Sequence, residues 1–142
     1  MPANLTLKPR EFVMALSSTA VGGLVGTLLR DLLTSLEHLP SSSSTNVTWP
    51  QEIPWMLLAI NFVGVFIATR LLRGPLRAHD PNDLTRLLII TGFFGGLTSY
   101  SGLFVDVAAI WHLCIGGAIG VALGAILSGV LAGWLGLLRH RR

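Results

Sequence analysis

The residues with chemistry to offer are Asn61 in "AINFVGVFIATR" and Thr98, Ser99, Tyr100 and Ser101 in "TGFFGGLTSYSGLF", all set inside apolar stretches. Amides and hydroxyls supply donors and partial charges without exchanging protons near neutral pH, so this set suits holding an ion more than making or breaking a bond. An enzyme would need a nucleophile with its base, or a metal cluster. Neither is visible. His38, His79, His112 and His140 are scattered near span ends and loops, and no pair has ligand spacing on one helix face. Cys114 is the only cysteine, which excludes an intrachain disulfide. Asp106 falls near a span boundary, where it can reach the interface, so a proton-coupled carboxylate deep in a span is not expected.

The elements that must position these groups are membrane helices. The chain has 142 residues, 51% of them hydrophobic and 12% charged, with a mean hydropathy of +0.67, which is not a soluble globule's composition. Apolar stretches of roughly bilayer-spanning length predict an all-α, four-transmembrane-helix integral membrane protein, one transmembrane domain over residues 1–142. The expected spans are about 12–30, 53–71, 84–106 and 107–138, with an external loop at 31–52 and a cytoplasmic loop at 72–83. The first stretch lacks a convincing cleavage site and reads as a retained helix ended by Arg30, not a signal peptide.

The sequence pI of about 10.0 does not point to nucleic acid, because the basic residues flank spans and do not interleave with aromatics. On an alternating topology Lys8, Arg10, Arg70, Arg73, Arg77, Arg86, Arg139, Arg141 and Arg142 share one side, and Arg30 alone lies on the other. The positive-inside rule then places both termini in the cytoplasm. The sequon Asn46-Val47-Thr48 in the Ser-rich external loop is a weak match.

Gly22, Gly23 and Gly26 give the first span a small-residue face for close helix packing, and Gly116, Gly117, Gly120 and Gly124 do the same in the fourth. Asn61 must find a partner, either across a helix contact or in an aqueous path. Gly95-Gly96 makes a break in the third helix plausible, since glycine tolerates unwound backbone. Backbone freed at that depth has to be buried in protein or line a cavity, where its carbonyls can meet a cation and nearby donors an anion.

With these residues in view, "GFFGGLTSYSGL" resembles the third-helix signature of the fluoride-channel family, Fluc or CrcB, through Gly92, Phe93, Gly95, Gly96, Leu97, Thr98 and Ser101 at identical spacing. "NFVGVF" resembles its second-helix motif through Asn61, Gly64 and Phe66, and "GGLVGTLLR" its first-helix motif through Gly22, Gly23, Gly26 and Arg30. The resemblance implies a passive fluoride channel of the plasma membrane, built as an antiparallel dimer with two pores. Hydrogen fluoride entering as a neutral acid would ionise inside, and the trapped anion would leave through the channel. It also implies a central structural Na+ held by backbone carbonyls that fall here on Gly95 and Thr98, and a pore asparagine that falls on Asn61. Pore lining is expected from Asn61, Thr98, Ser99, Tyr100, Ser101 and Leu103, and helix packing from Gly22, Gly23, Gly26 and Gly64.

The chain departs from the family pattern where two pore phenylalanines fall on Tyr100 and Leu103, and where an aromatic after the first-helix arginine is replaced by Asp31. In the fourth span Ser128 is the candidate polar residue. An antiparallel homodimer needs a chain that inserts both ways, whereas this chain's charge bias is one-sided. The expected partner is therefore fluoride, membrane lipid, and a second copy or, in preference, a related subunit of opposite topology. The alternative is a non-conducting structural or regulatory four-helix subunit.

Overall fold

The structure, a computed structural model, describes residues 8–37, 53–76, 83–112 and 114–138. The sequon at 46–48, His79, His140 and the terminal arginines lie outside these residues.

Helix α1 runs from Pro9 to Glu37. Proline suits the first helical position because its missing N–H would be unpaired there anyway. Glu11 reaches back to accept from the Lys8 N–H at 3.3 Å, one arm of a capping box. The helix does not end at Arg30 as the sequence suggested. It continues because nothing there breaks it: Arg30 pairs with Asp31, and Thr34 and Ser35 donate their hydroxyls to carbonyls four residues back at 3.0 and 2.6 Å.

Helix α2 spans Trp55–Arg73, entered from Pro54 and closed by the Gly74 N–H on the Arg70 carbonyl at 3.0 Å. The third span begins at a cap in which the Asp83 carboxylate accepts from the Thr85 and Arg86 N–H groups. Its first half, α3, is an α turn Leu84–Arg86, an eight-residue π-helical stretch Leu87–Phe94 and a final α turn Gly95–Leu97. Its second half is α4, Tyr100–Trp111, and α5 follows over Ile115–Leu137. The third span's helix runs on to Trp111 and does not stop at 106–107, since Val107 to Trp111 contains no glycine or proline to stop it.

The four spans are long and apolar enough to cross a bilayer. They alternate in direction. Gly22 meets Leu88 and Phe93 while Gly26 meets Phe93 and Leu97, so α1 and α3 run parallel; Gly64 meets Thr98 while Leu57 meets Gly102, so α2 runs against them. Arg10, Arg70, Arg73 and Arg86 therefore share one end, and Arg30, Asp31 and Asp106 the other.

Small residues let the backbones touch. A β-carbon at Gly22 would lie 2.9 Å from the Phe93 nitrogen, one at Gly26 the same distance from the Leu97 nitrogen, and one at Gly92 2.6 Å from the Thr19 carbonyl oxygen. Two apolar clusters form the interior. Leu57, Leu103, Ile110, Ala118, Val121 and Ala125 pack α2, α4 and α5, whereas Ile60, Phe94 and Leu97 pack α2 on α3. Only 11 to 22% of each span's apolar window is buried within the chain, so most of the apolar surface must meet lipid or another protein.

Candidate functional site at the helix break

The third span is broken, but three residues beyond the glycine pair. Gly95 is helical at φ −62°, ψ −40°; Thr98 leaves the helix at φ −98°, ψ 36°, and Ser99 is extended at φ −72°, ψ 121°. The glycines serve approach instead of unwinding: a β-carbon at Gly96 would overlap the Gly23 carbonyl oxygen. Before the break the last rung of the ladder is the Thr98 N–H on the Phe94 carbonyl at 2.9 Å, which the Thr98 hydroxyl also reaches at 2.7 Å.

Past that rung the carbonyls of Gly95, Gly96, Leu97 and Thr98 have no N–H four residues on in helical register. They lie at the negative end of α3, while the first N–H groups of the 12-residue α4 lie at its positive end. Ser99 does not cap α4; its hydroxyl instead pairs with that of Ser101 at 2.8 Å. Carbonyl oxygens are the donor type that hard cations take, so the Gly95 and Thr98 carbonyls fit a small cation by chemistry.

Asn61 stands at the same level. Leu57, Asn61 and Gly64 share one face of α2 by their spacing, and since Leu57 faces Gly102 and Gly64 faces Thr98, Asn61 falls between them, beside the start of α4. It is 2% exposed, and neither its Nδ2 nor its Oδ1 has a partner among the described residues. Such an amide costs roughly 1–3 kcal/mol if it stays unpaired. It lies between the two apolar clusters, on the face of α2 that carries Leu57.

The other residues divide by face. Tyr100 points its hydroxyl at Gly129 of α5, where a side chain would collide with it, beside a cavity of about 410 Å³ lined also by Val65, Phe104, Ile126 and Val130. Leu103 is 1% exposed inside the chain's own α2–α4–α5 cluster. Gly95 and Ser101 are exposed on the chain's outer face, and Ser128 is tied to the Ala125 carbonyl at 2.8 Å. Gly23 and Gly26 pack against the third span, and Gly64 against Thr98.

Sequence reasoning missed two features. Gly92 and Gly96 are the partners of the α1 glycine face, a pairing that their four-residue spacing signalled. Arg30, Asp31 and Asp106 meet around one cavity at the far end of the bundle. Nothing in the spacing of Asp106 from Arg30 could signal that, because it depends on the third helix continuing to Trp111.

Residues 17–137 match the protein family described as CrcB-like protein, Camphor Resistance (CrcB). The chain is 34% identical over 92 residues to the fluoride-specific ion channel FluC of Mesorhizobium japonicum, a match covering 65% of this chain and 67% of that protein. It is 32% identical over 93 residues to the FluC of Rhizobium leguminosarum bv. trifolii, covering 66% and 68%, and 35% identical over 92 residues to FluC 1 of Cutibacterium acnes, covering 61% and 56%.

Proposed function

The chain belongs to the CrcB family, and on that premise we propose that it is a multi-pass membrane subunit of a fluoride-selective channel that lets fluoride leave the cell passively. The observation that carries this reading is Asn61: a buried amide with both polar atoms unpartnered among the described residues, level with the start of a half-helix that begins within the third span. Fluoride holds its water tightly, so a path for it must offer replacement donors at depth. The Asn61 amide, the first N–H groups of α4 and the Ser99–Ser101 hydroxyl pair are such donors. None of them titrates near neutral pH, which fits passive conduction better than proton exchange.

The Gly95 and Thr98 carbonyls would hold Na+, whose charge there would offset the negative end of α3. Gly95 and Ser101 are exposed near the middle of a 28-residue span, and polar backbone at that depth needs protein cover. A second subunit supplies it, packed antiparallel. Because Arg10, Arg70, Arg73 and Arg86 cluster at one end, the chain inserts with that end, and both termini, in the cytoplasm of the plasma membrane. Its partner is then a related chain of opposite topology in preference to a second copy.

The test is fluoride efflux from liposomes carrying this chain alone or with its partner, followed by a fluoride electrode. Efflux above protein-free vesicles is expected, and Asn61→Leu should lower it at least tenfold while the subunits still assemble. A variant that conducts like the parent, or one that loses only assembly, would instead favour a structural subunit. Full activity of the chain alone would remove the unlike-partner requirement.

A further inference from the structure

At the end of the bundle away from the arginine cluster, a cavity of about 440 Å³ is lined by Arg30, Asp31, Ser35, Leu57, Gly102 and Asp106, among others. It stands directly beyond the helix break: Leu57 is one turn from Asn61 on the same face of α2, and Gly102 is in the first turn of α4. On the channel reading, an anion approaching Asn61 from this end would pass through it. Arg30 is the cavity's one cation among the described residues, and its side chain is 16% exposed, largely withdrawn from water.

That cation is bound. Asp31 places a single carboxylate oxygen 2.9 Å from the Arg30 Nη2 and 3.2 Å from Nε, while remaining 60% exposed itself. A contact between neighbours in sequence adds nothing to the packing of α1 on other helices, and an ion pair so exposed on one side contributes little stability. Its effect is on the field. With Asp31 in place the pair is neutral; without it, Arg30 would present a positive charge that Asp31 no longer offsets.

We propose that Asp31 is a charge-masking residue that, by neutralising Arg30, sets the potential of this cavity and so the rate at which anions enter from it. The proposal rests on the channel reading for its consequence, but its electrostatic part does not. One unit charge within several ångströms of the path, at the high effective dielectric of a wet cavity, changes local anion concentration roughly 3- to 10-fold. The same charge acts in the opposite sense on cations.

The experiment reads the potential first, without requiring conduction. Ser35→Cys in a Cys114→Ser background places a thiol in the cavity wall, and its modification rates by an anionic and a cationic methanethiosulfonate are compared in low salt. Asp31→Asn should raise the anionic-to-cationic ratio about tenfold or more, Arg30→Gln should lower it comparably, and the charge-neutral double variant should return near the parent. All four ratios should converge near 1 M salt, where the screening length falls to about 3 Å. An unchanged ratio in Asp31→Asn, or single variants that move it in the same direction, would overturn the proposal.

Fluoride efflux from the same liposomes, with the partner subunit present, supplies the second reading. Asp31→Asn should speed low-salt efflux about 3- to 10-fold. A shifted reagent ratio with unchanged efflux, in a parent that conducts, would overturn the claim about entry. A parent that does not conduct would fail the channel reading and leave the reagent ratios to decide the mask.

Discussion

Gly64 on α2 lies so close to the Thr98 methyl that a β-carbon at position 64 would overlap it. Thr98 cannot simply rotate away, because its hydroxyl is engaged by the Phe94 carbonyl at 2.7 Å on the last turn before the break. Gly64→Ala should therefore push on the break itself. We expect a loss of about 1–3 kcal/mol, the usual cost of overpacking, read as a lower unfolding midpoint in detergent. Adding Thr98→Ser, which removes the methyl and keeps the hydroxyl, should restore most of it; no rescue would mean that the strain is relieved elsewhere.

The glycines of α1 and α5 should respond differently to the same change. At Gly26 a β-carbon would overlap the Phe93 carbonyl oxygen, a backbone atom that cannot move without shifting a helix. Gly26→Ala should cost several times what an exposed substitution does, on the order of 2–4 kcal/mol by analogy with other severe packing defects. A β-carbon at Gly120 would meet nothing within 4 Å of its own chain. Gly120→Ala should leave the chain's own unfolding midpoint unchanged. Comparable losses in both variants would contradict the packing described for α1.

These contrasts mark what could be read from the sequence. Hydropathy sufficed for four helices, and the Gly22, Gly23 and Gly26 spacing sufficed for a close-packed face, because both are local properties of one segment. The length of α1 beyond Arg30 was not legible, since a charged pair reads as a span's end unless the pair neutralises itself. Gly95-Gly96 drew the break three residues early. Glycine serves both unwinding and close approach, and only the contact of Gly96 with Gly23 separates the two uses. Asn61 stood out as a lone amide, but its level with the start of α4 follows from pairings between helices that sequence spacing does not carry.

Leu103 makes a prediction about the missing ring. The side chain is 1% exposed in a cluster with Leu57, Ile110, Ala118, Val121 and Ala125, closed on within its own chain by α2 and α5. Restoring an aromatic by Leu103→Phe should overpack this cluster and lower stability by about 1–3 kcal/mol, while Leu103→Ala should lower it by about 2–5 kcal/mol through the cavity it leaves. Thermal unfolding of the two variants in detergent checks both. A phenylalanine that stabilised the chain, or raised efflux, would mean that position 103 faces a path in the assembly and not the interior of one subunit.

The break between α3 and α4 also predicts a cation dependence. Only Ser99 is extended between the two half-helices, so carbonyls at the end of α3 and N–H groups at the start of α4 present opposite partial charges within a few residues. A cation at the Gly95 and Thr98 carbonyls would relieve the first end and leave the second free for an anion. If Na+ binds the folded assembly and not the unfolded chain, it adds RT ln(1 + [Na+]/Kd), about 2.7 kcal/mol at a hundredfold excess over Kd. Exchanging Na+ for N-methylglucamine at constant ionic strength should lower the unfolding midpoint of the assembled protein by several degrees and slow fluoride efflux in parallel. Superimposable melting curves in the two cations would remove sodium from the site. Efflux that persisted unchanged beside them would leave the proposed path to the Asn61 amide, the N–H groups of α4 and the Ser99–Ser101 hydroxyl pair, with no cation.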